Sequence, residues 1–168
     1  MHTNYALFEA YEGTQYTKIF FDAETGGFVV VHKEHGKYEF AGNKVIAMLL
    51  AKQGKKVVLL PDQVNVISAD ADVDSEIWEF KTLMASTNLR GAVQLAIRRA
   101  KLQSCNILCF IDQHYNANDI TKGIYNAVKF DGKKMIKQIV ILFQNGHLIP
   151  MTRAEVIDES FREKFSGK

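Results

Sequence analysis

The chain has 168 residues, of which 47% are hydrophobic and 24% are charged, with only 2 prolines and 2 cysteines. This length and apolar content predict one domain with its own core, and they exclude disordered, collagenous and coiled-coil classes. The net charge of +2 is too small to indicate a nucleic-acid partner, so such a partner must be sought in how the charges are distributed.

The first half of the chain is predicted to contain a hairpin, a helix and three strands. Residues 16–40 predict a β-hairpin, because runs of β-branched and aromatic residues flank a turn at residues 24–27. Apolar residues at helical spacing predict a helix over 43–53, with Asn43 as its cap and Gly54 as its stop. The three strands are predicted at residues 55–60, 64–68 and 77–81.

The second half is predicted to alternate helices and strands. The strongest helical pattern covers residues 88–103 and carries an apolar stripe that should pack on a sheet. The tail after Thr152 is expected to be a short helix or a frayed end. The remaining elements are a strand at 106–111, a helix at 119–128, a strand at 136–143 and, after the hairpin signal Asn145-Gly146, a strand at 147–151. This order predicts an α+β domain over residues 1–168, with a mixed β-sheet and helices on its faces.

Charge is concentrated around the third predicted strand. Five acids lie in residues 69–79, whereas residues 82–110 contain four bases and no acid. Strand alternation places Glu79 and Lys81 on one face. Together with Asp70, this pair is typical of a metal site, because Mg²⁺ and Mn²⁺ prefer oxygen ligands and a lysine stabilises developing negative charge. The alternative is a solvated strand face beside an acidic turn.

Four short segments share a pattern with a known group of proteins. They are residues 54–61 (GKKVVLLP), 69–70 (AD), 78–81 (WEFK) and 100–103 (AKLQ). In this pattern, which spans roughly residues 26–150, the chain resembles the C-terminal nuclease domains of contact-dependent growth inhibition and polymorphic toxins. The order helix, three strands, helix, strand also resembles the αβββαβ core of the PD-(D/E)XK, restriction-endonuclease-like superfamily, here residues 43–150 after the hairpin 16–40.

The resemblance implies a metal-dependent nuclease that acts on tRNA or DNA, with a cognate immunity protein. By resemblance, Asp70 and Glu79 ligate Mg²⁺ or Mn²⁺, with Zn²⁺ as a further candidate. Lys81 is then catalytic and Gln103 is an accessory site residue. The chain departs from the superfamily in having Ala69 where proline is usual, and in lacking a glutamate within the helix at 43–53, so that Glu39 is the nearest candidate for a third carboxylate.

Two features of the helix at 88–103 bear on this site. Helical spacing places Gln103 on the apolar stripe, where its amide would need a partner, unless the helix ends before it. Basic residues line the opposite side and predict contacts with phosphates, although a solvated helix face would look the same. The residues of that basic side are Arg90, Gln94, Arg98 and Lys101.

Two other functions remain open at this stage. One is a non-catalytic relative that binds nucleic acid or a partner protein, and the other is a metal-free RNase of the barnase or colicin type. The second would need a general base, for which His114 with Tyr115 is the reserve candidate. His32 and His35 flank a turn and are predicted to be surface residues.

The sequence also predicts a location. Residues 1–10 lack the basic start and apolar stretch of a signal peptide, and no apolar run reaches the roughly 18 residues of a membrane helix. We therefore expect a cytoplasmic protein as encoded, without membrane association, and the resemblance implies delivery into a target cell as part of a toxin system. Cys105 and Cys109 are predicted to be buried thiols without a disulfide.

Overall fold

The structure, a computed structural model, describes residues 3–11, 13, 15–63 and 66–166. The chain divides into two units, Met1–Trp78 and Glu79–Lys168, and each has a mixed sheet with helices, as the α+β prediction requires. The prediction of a single domain over 1–168 stays a prediction. Among the described residues, no helix is long and apolar enough to cross a membrane.

The first unit is built on a mixed sheet. Its elements are α1 (Asn4–Ala10), β1 (Tyr16–Phe21), β2 (Phe28–His32), α2 (Phe40–Ala51), β3 (Lys56–Leu59), β4 (Ala71–Val73) and the start of β5 (Glu76–Leu83). β1 and β2 form the predicted antiparallel hairpin, and β2 pairs with β3 in parallel. β4 pairs antiparallel with both β3 and β5, with Ala71 opposite Trp78. The parallel β2–β3 pair is possible because α2 supplies the crossover between them.

A cluster of aromatic side chains packs α1 against the hairpin in the first unit. Phe8 of α1 packs with its ring centroid 5.4 Å from that of Phe21 and 5.7 Å from that of Phe28. The hairpin turn approaches α2 so closely that a Cβ at Gly27 would lie 1.9 Å from the carbonyl oxygen of Ala51. Only glycine fits there, which fixes the hairpin against the end of α2.

The second unit follows a β–α–β–α–β order. It contains the rest of β5, α3 (Leu89–Ala100), β6 (Asn106–Ile111), α4 (Ala117–Lys129), β7 (Gln138–Phe143), β8 (Leu148–Thr152), α5 (Arg153–Ile157) and a 3₁₀ helix (Ser160–Phe165). β5, β6 and β7 are parallel, and β8 pairs antiparallel with β7. Ile97 of α3 and Ile124 of α4 are fully buried in the same core cluster as Ile139 of β7.

Two predictions about elements are corrected. Of the predicted strand 64–68, residues 64 and 65 lie outside the described residues and residues 66–68 are not in a strand. The middle strand is β4, so the order α2, β3, β4, β5, α3, β6 still gives the predicted αβββαβ sequence of elements. The short helix expected in the tail is α5, and the alternative of a frayed end is wrong for the described tail up to residue 166, where Val156 and Phe161 are completely buried.

Candidate active site

β5 places two charged side chains of the predicted site in contact. Glu79 is fully buried at 0% exposure, whereas the side chain of Lys81 is 25% exposed. The Lys81 ammonium donates a hydrogen bond to Oε1 of Glu79 and forms an ion pair with it. Because a carboxylate is rarely buried without a charged partner, the ion pair with Lys81 accounts for the burial of Glu79. The alternative of a solvated strand face is wrong for Glu79.

The strand pattern explains why this carboxylate is covered. β5 alternates as predicted, so that Trp78 and Phe80 are buried on the face opposite Glu79 and Lys81. In the parallel ladder with β6, Glu79 lies opposite Ile107 and Lys81 opposite Cys109. Ile107 and Cys109 are both fully buried, so the strand beside the charged pair is apolar.

Gln103 reaches the same pair from an unexpected place. α3 ends at Ala100, and Gln103 lies in the turn that follows, where its backbone N–H donates to the carbonyl of Ala100 at 2.9 Å. Its Oε1 accepts a hydrogen bond from Nζ of Lys81 at 3.5 Å. The helix therefore ends before Gln103, as the alternative held, and the turn brings the amide oxygen to the lysine.

Cys109 shows how apolar these surroundings are. It is fully buried opposite Lys81 in the ladder, and burial raises the pKa of its thiol to about 12, although the charge of Lys81 opposes the shift. The thiol is therefore neutral at physiological pH and is not a nucleophile. The prediction of a buried thiol is confirmed for Cys109, whereas Cys105 is only half-buried and both are free.

Asp70 lies in the first unit, immediately before β4. It is only 5% exposed, and its Oδ1 accepts a hydrogen bond from Nδ2 of Asn43 at 2.9 Å. Its backbone carbonyl accepts from the N–H of Leu60 at 2.9 Å. Asp72, by contrast, accepts from the backbone N–H of Ser75 in the turn between β4 and β5. The acidic segment thus combines turn-forming residues with one buried carboxylate.

Two residues beside Asp70 were missed by the sequence analysis. His35, predicted on the surface, is 6% exposed, and Asn43, predicted as a helix cap, lies inside α2 at 5% exposure. Nδ2 of Asn43 lies 3.2 Å from Nε2 of His35, and Nδ1 of His35 lies 2.6 Å from the carbonyl oxygen of Leu60. A signal was present, because Asn43 falls at helical spacing on the apolar stripe with Ile46 and Leu50 of α2.

The carboxylates of the predicted site differ from a complete cluster of metal ligands. Within the described ranges, no group of three or more His, Cys, Asp and Glu side chains is arranged to hold a metal ion. Mg²⁺ is nevertheless often held by one or two carboxylates, with waters and phosphate oxygens completing the shell. Each of the Asp70 and Glu79 carboxylates has the donor chemistry of one such ligand, and their roles as ligands stay predictions. Glu39 is exposed before α2, and its role as a third ligand stays a prediction.

The basic side of α3 is only partly exposed. Arg90 and Arg98 are exposed, whereas Lys101 lies just beyond the helix and forms an ion pair with Asp131 at 3.0 Å. Asp131 is 1% exposed, and it also binds Arg153 at 2.9 Å. Burial would raise the pKa of Asp131, but hydrogen bonds from the N–H of Ile136 and from the Lys101 and Arg153 side chains outweigh it, so the pKa is lowered. Lys101 is thus part of a buried ion-pair cluster.

The reserve residues for a metal-free RNase lie in a separate cavity of the second unit. His114 and Tyr115 line an open cavity of about 360 Å³ with Ser86, Thr87 and Asp119. The ring of Tyr115 stacks on Phe143, with centroids 4.5 Å apart. The lining of this cavity includes neither the Glu79–Lys81 pair nor Gln103.

The region that holds these residues is similar to a known family. Residues 68–148 match the family model of the contact-dependent growth inhibition CdiA C-terminal domain. The matched stretch is just under half of the chain, and over it the chain is similar to this family. It contains Asp70, Glu79, Lys81 and Gln103. The match is narrower than residues 26–150, over which the sequence suggested a similarity.

A solved structure supports the fold. A chain of the "CdiA-CT/CdiI toxin and immunity complex from Burkholderia pseudomallei" aligns with a TM-score of 0.50 at 13% sequence identity, over 68% of this chain and 85% of that chain. At this identity the likeness concerns the fold alone. No curated protein matches the chain in sequence.

Proposed function

We propose that this chain is a toxin domain of the contact-dependent growth inhibition system and a metal-dependent nuclease of the PD-(D/E)XK type, which hydrolyses phosphodiester bonds in tRNA or DNA. The main observation behind the proposal is that the fully buried Glu79 forms an ion pair with Lys81. Lys81 also donates a hydrogen bond to Gln103. An ion pair with one fully buried partner is costly to build. Its position within the stretch that matches a family model of toxin domains supports a catalytic use.

Each residue has a distinct part in the proposed reaction. Glu79, and Asp70 on the sequence prediction, would hold Mg²⁺ or Mn²⁺, with Zn²⁺ as a further candidate. When bound, such an ion polarises the phosphate and acidifies its water. Lys81 would stabilise the negative charge that develops on the phosphate oxygens. Its two acceptors, on Glu79 and Gln103, hold the ammonium in place before substrate arrives, which avoids reorganisation during the reaction.

Nucleic-acid binding is proposed for the exposed arginines of α3. Arg90 and Arg98 are eight residues apart, which is about 12 Å along a helix, and both are exposed. Such a spacing suits contacts with phosphates of a backbone, which are independent of sequence. The role predicted for Lys101 is weakened by its ion pair with Asp131, but it stays a prediction.

The double substitution Arg90→Ala/Arg98→Ala tests this surface. We expect weaker binding of tRNA or duplex DNA, and a slope of log K against log salt that is smaller by about 1.4–1.8, since each phosphate contact contributes about 0.7–0.9. Fluorescence anisotropy with labelled nucleic acid at several salt concentrations measures both. The matched control is Lys133→Ala/Lys137→Ala, which removes the same charge from exposed lysines outside α3. If the two double variants change the slope equally, α3 is not the binding surface.

Cleavage in the presence and absence of metal tests the proposed reaction. Purified protein is expected to cut tRNA or plasmid DNA with Mg²⁺ or Mn²⁺ and to stop when EDTA is added, because the carboxylates act through the cation. Cleavage that resists EDTA would instead favour a metal-free RNase whose active site is the cavity lined by His114. Salt-sensitive binding without cleavage under any metal would instead identify a non-catalytic relative.

We also propose that the domain acts inside a target cell and has a cognate immunity protein. The family match and the toxin and immunity complex that shares the fold support this proposal. An inhibitor of such a nuclease would act by covering either the site around Lys81 or the arginines of α3, because blocking either one prevents substrate from reaching the metal site.

A further inference from the structure

A closed ring of hydrogen bonds surrounds Asp70 in the first unit. Asn43 donates to Oδ1 of Asp70 at 2.9 Å and lies 3.2 Å from Nε2 of His35. The ring of His35 bonds to the Leu60 carbonyl at 2.6 Å, and the Leu60 N–H donates to the Asp70 carbonyl at 2.9 Å. The ring therefore starts at the side chain of Asp70 and returns to its main chain.

The chemistry of each atom fixes the protons in this ring. The Leu60 carbonyl only accepts, so Nδ1 of His35 must carry a proton. The amide nitrogen of Asn43 only donates, so Nε2 of His35 must be the unprotonated acceptor. One N–H of Asn43 is then used by His35 and the other by Asp70. These hydrogen bonds assign to His35 the tautomer protonated at Nδ1.

We infer that Asn43 and His35 are positioning residues that orient the Asp70 carboxylate for a divalent cation. This inference rests on the proposed function, which gives Asp70 the role of a metal ligand. His35, Asn43 and Asp70 are each at least 94% buried, so their geometry is held by the protein and not by solvent. Residues that orient a metal ligand in this way typically contribute about 10–100-fold in metal affinity.

The order of the ring predicts how the two residues act together. Asn43 contacts the carboxylate directly, whereas His35 acts on it through the Asn43 amide. Removing Asn43 should therefore remove the effect of His35 as well. The two substitutions are expected to be non-additive, as is usual for members of one hydrogen-bond network.

The test measures Mn²⁺ binding to the whole chain by electron paramagnetic resonance, alongside cleavage of nucleic acid. We expect Asn43→Ala to weaken Mn²⁺ binding by about 10–100-fold, and His35→Ala to weaken it less. The double variant should bind Mn²⁺ within about twofold of Asn43→Ala, because a residue that acts only through another adds nothing once that residue is gone. Asn43→Leu, similar in size to asparagine, repeats the test if Asn43→Ala does not fold.

A matched control separates positioning from stability. Thr25→Val removes another hydrogen bond of the first unit, from Thr25 to the Ala51 carbonyl at 3.2 Å, and it should leave Mn²⁺ affinity unchanged. Nitrogen NMR of His35 should show a proton on Nδ1 and none on Nε2. Detection of protons on both nitrogens would overturn the inference, because Asn43 could not then donate to the ring.

The outcomes distinguish this inference from the proposed function. If Asp70→Ala binds Mn²⁺ and cleaves nucleic acid like the wild type, Asp70 is not a metal ligand. The ligand role proposed for Asp70 and the positioning role inferred for Asn43 and His35 are then both wrong. If Asp70→Ala abolishes Mn²⁺ binding while Asn43→Ala and His35→Ala bind normally, only the positioning role is wrong. Additive losses in the double variant would show that His35 does not act through Asn43.

Discussion

Substitution of Lys81 by alanine is expected to lower the rate of nucleic-acid cleavage by about 10²–10³-fold, the effect of removing one preorganised electrostatic stabiliser. The expectation follows from the contacts of the ammonium, which is held by Glu79 and Gln103. Single-turnover cleavage of labelled tRNA or DNA under saturating Mg²⁺ measures the rate. Mn²⁺ binding should change little, because Lys81 is not a proposed ligand.

Stability must be separated from chemistry in this experiment. Lys81→Ala leaves the fully buried carboxylate of Glu79 without its cationic partner. Such a loss typically lowers the free energy of unfolding by about 3–5 kcal/mol. The double substitution Glu79→Gln/Lys81→Met removes both charges at similar volume, so it should fold better than Lys81→Ala and still not cleave.

Arg153→Met is the matched control for Lys81→Ala. It removes one cationic partner of another fully buried carboxylate, that of Asp131. It should therefore lose stability but keep cleavage at temperatures where it is folded. If Lys81→Ala cleaves like the wild type, the site assignment is wrong even if the protein is a nuclease.

Substitution of Asp131 by alanine is expected to reduce the free energy of unfolding by about 3–5 kcal/mol, the loss typical of breaking a buried ion pair. Asp131 accepts hydrogen bonds from Lys101, from Arg153 and from the backbone N–H of Ile136, all at 2.9–3.0 Å. Without it, two partly buried cations and one buried N–H lose their acceptor. Urea unfolding followed by circular dichroism measures the change.

An exposed ion pair provides the comparison for Asp131. Lys164 binds Glu155 with both side chains about one third exposed, and Lys164→Ala should cost less than about 1 kcal/mol. Equal losses in Asp131→Ala and Lys164→Ala would contradict the central role of the buried cluster.

The pH dependence of Asp131→Asn gives a second readout of the same cluster. Because the folded pKa of Asp131 is lowered from its ordinary value of 3.8, ionised Asp131 stabilises the fold at pH values above 3.8. That contribution is lost as the pH falls from 3.8 through the lower folded pKa. The stability difference between wild type and Asp131→Asn should therefore be constant at neutral pH and shrink below pH 3.8.

Elements with a strong local pattern were predicted correctly. The helix at 88–103 and the strand at 106–111 correspond to α3 and β6. They could be predicted because helical and strand periodicity depends only on the order of apolar and polar residues within the segment itself. Elements whose stability depends on partners distant in the sequence were not predicted. α1 has 7 residues, too few to be stable alone, and it is stabilised by packing Phe8 on the hairpin. β4 has 3 residues and is defined by its pairing with β3 and β5.

By itself, the sequence determined which residue types could take part in the proposed chemistry: two carboxylates and a lysine near a strand, with a glutamine at the end of a predicted helix. Only the tertiary structure decided that Glu79 is fully buried against Lys81, that a turn carries Gln103 to the lysine, and that His35 and Asn43 enclose Asp70. Periodicity specifies which face of an element a residue occupies. Burial and hydrogen-bond partners depend on segments far apart in the chain, which only folding brings together.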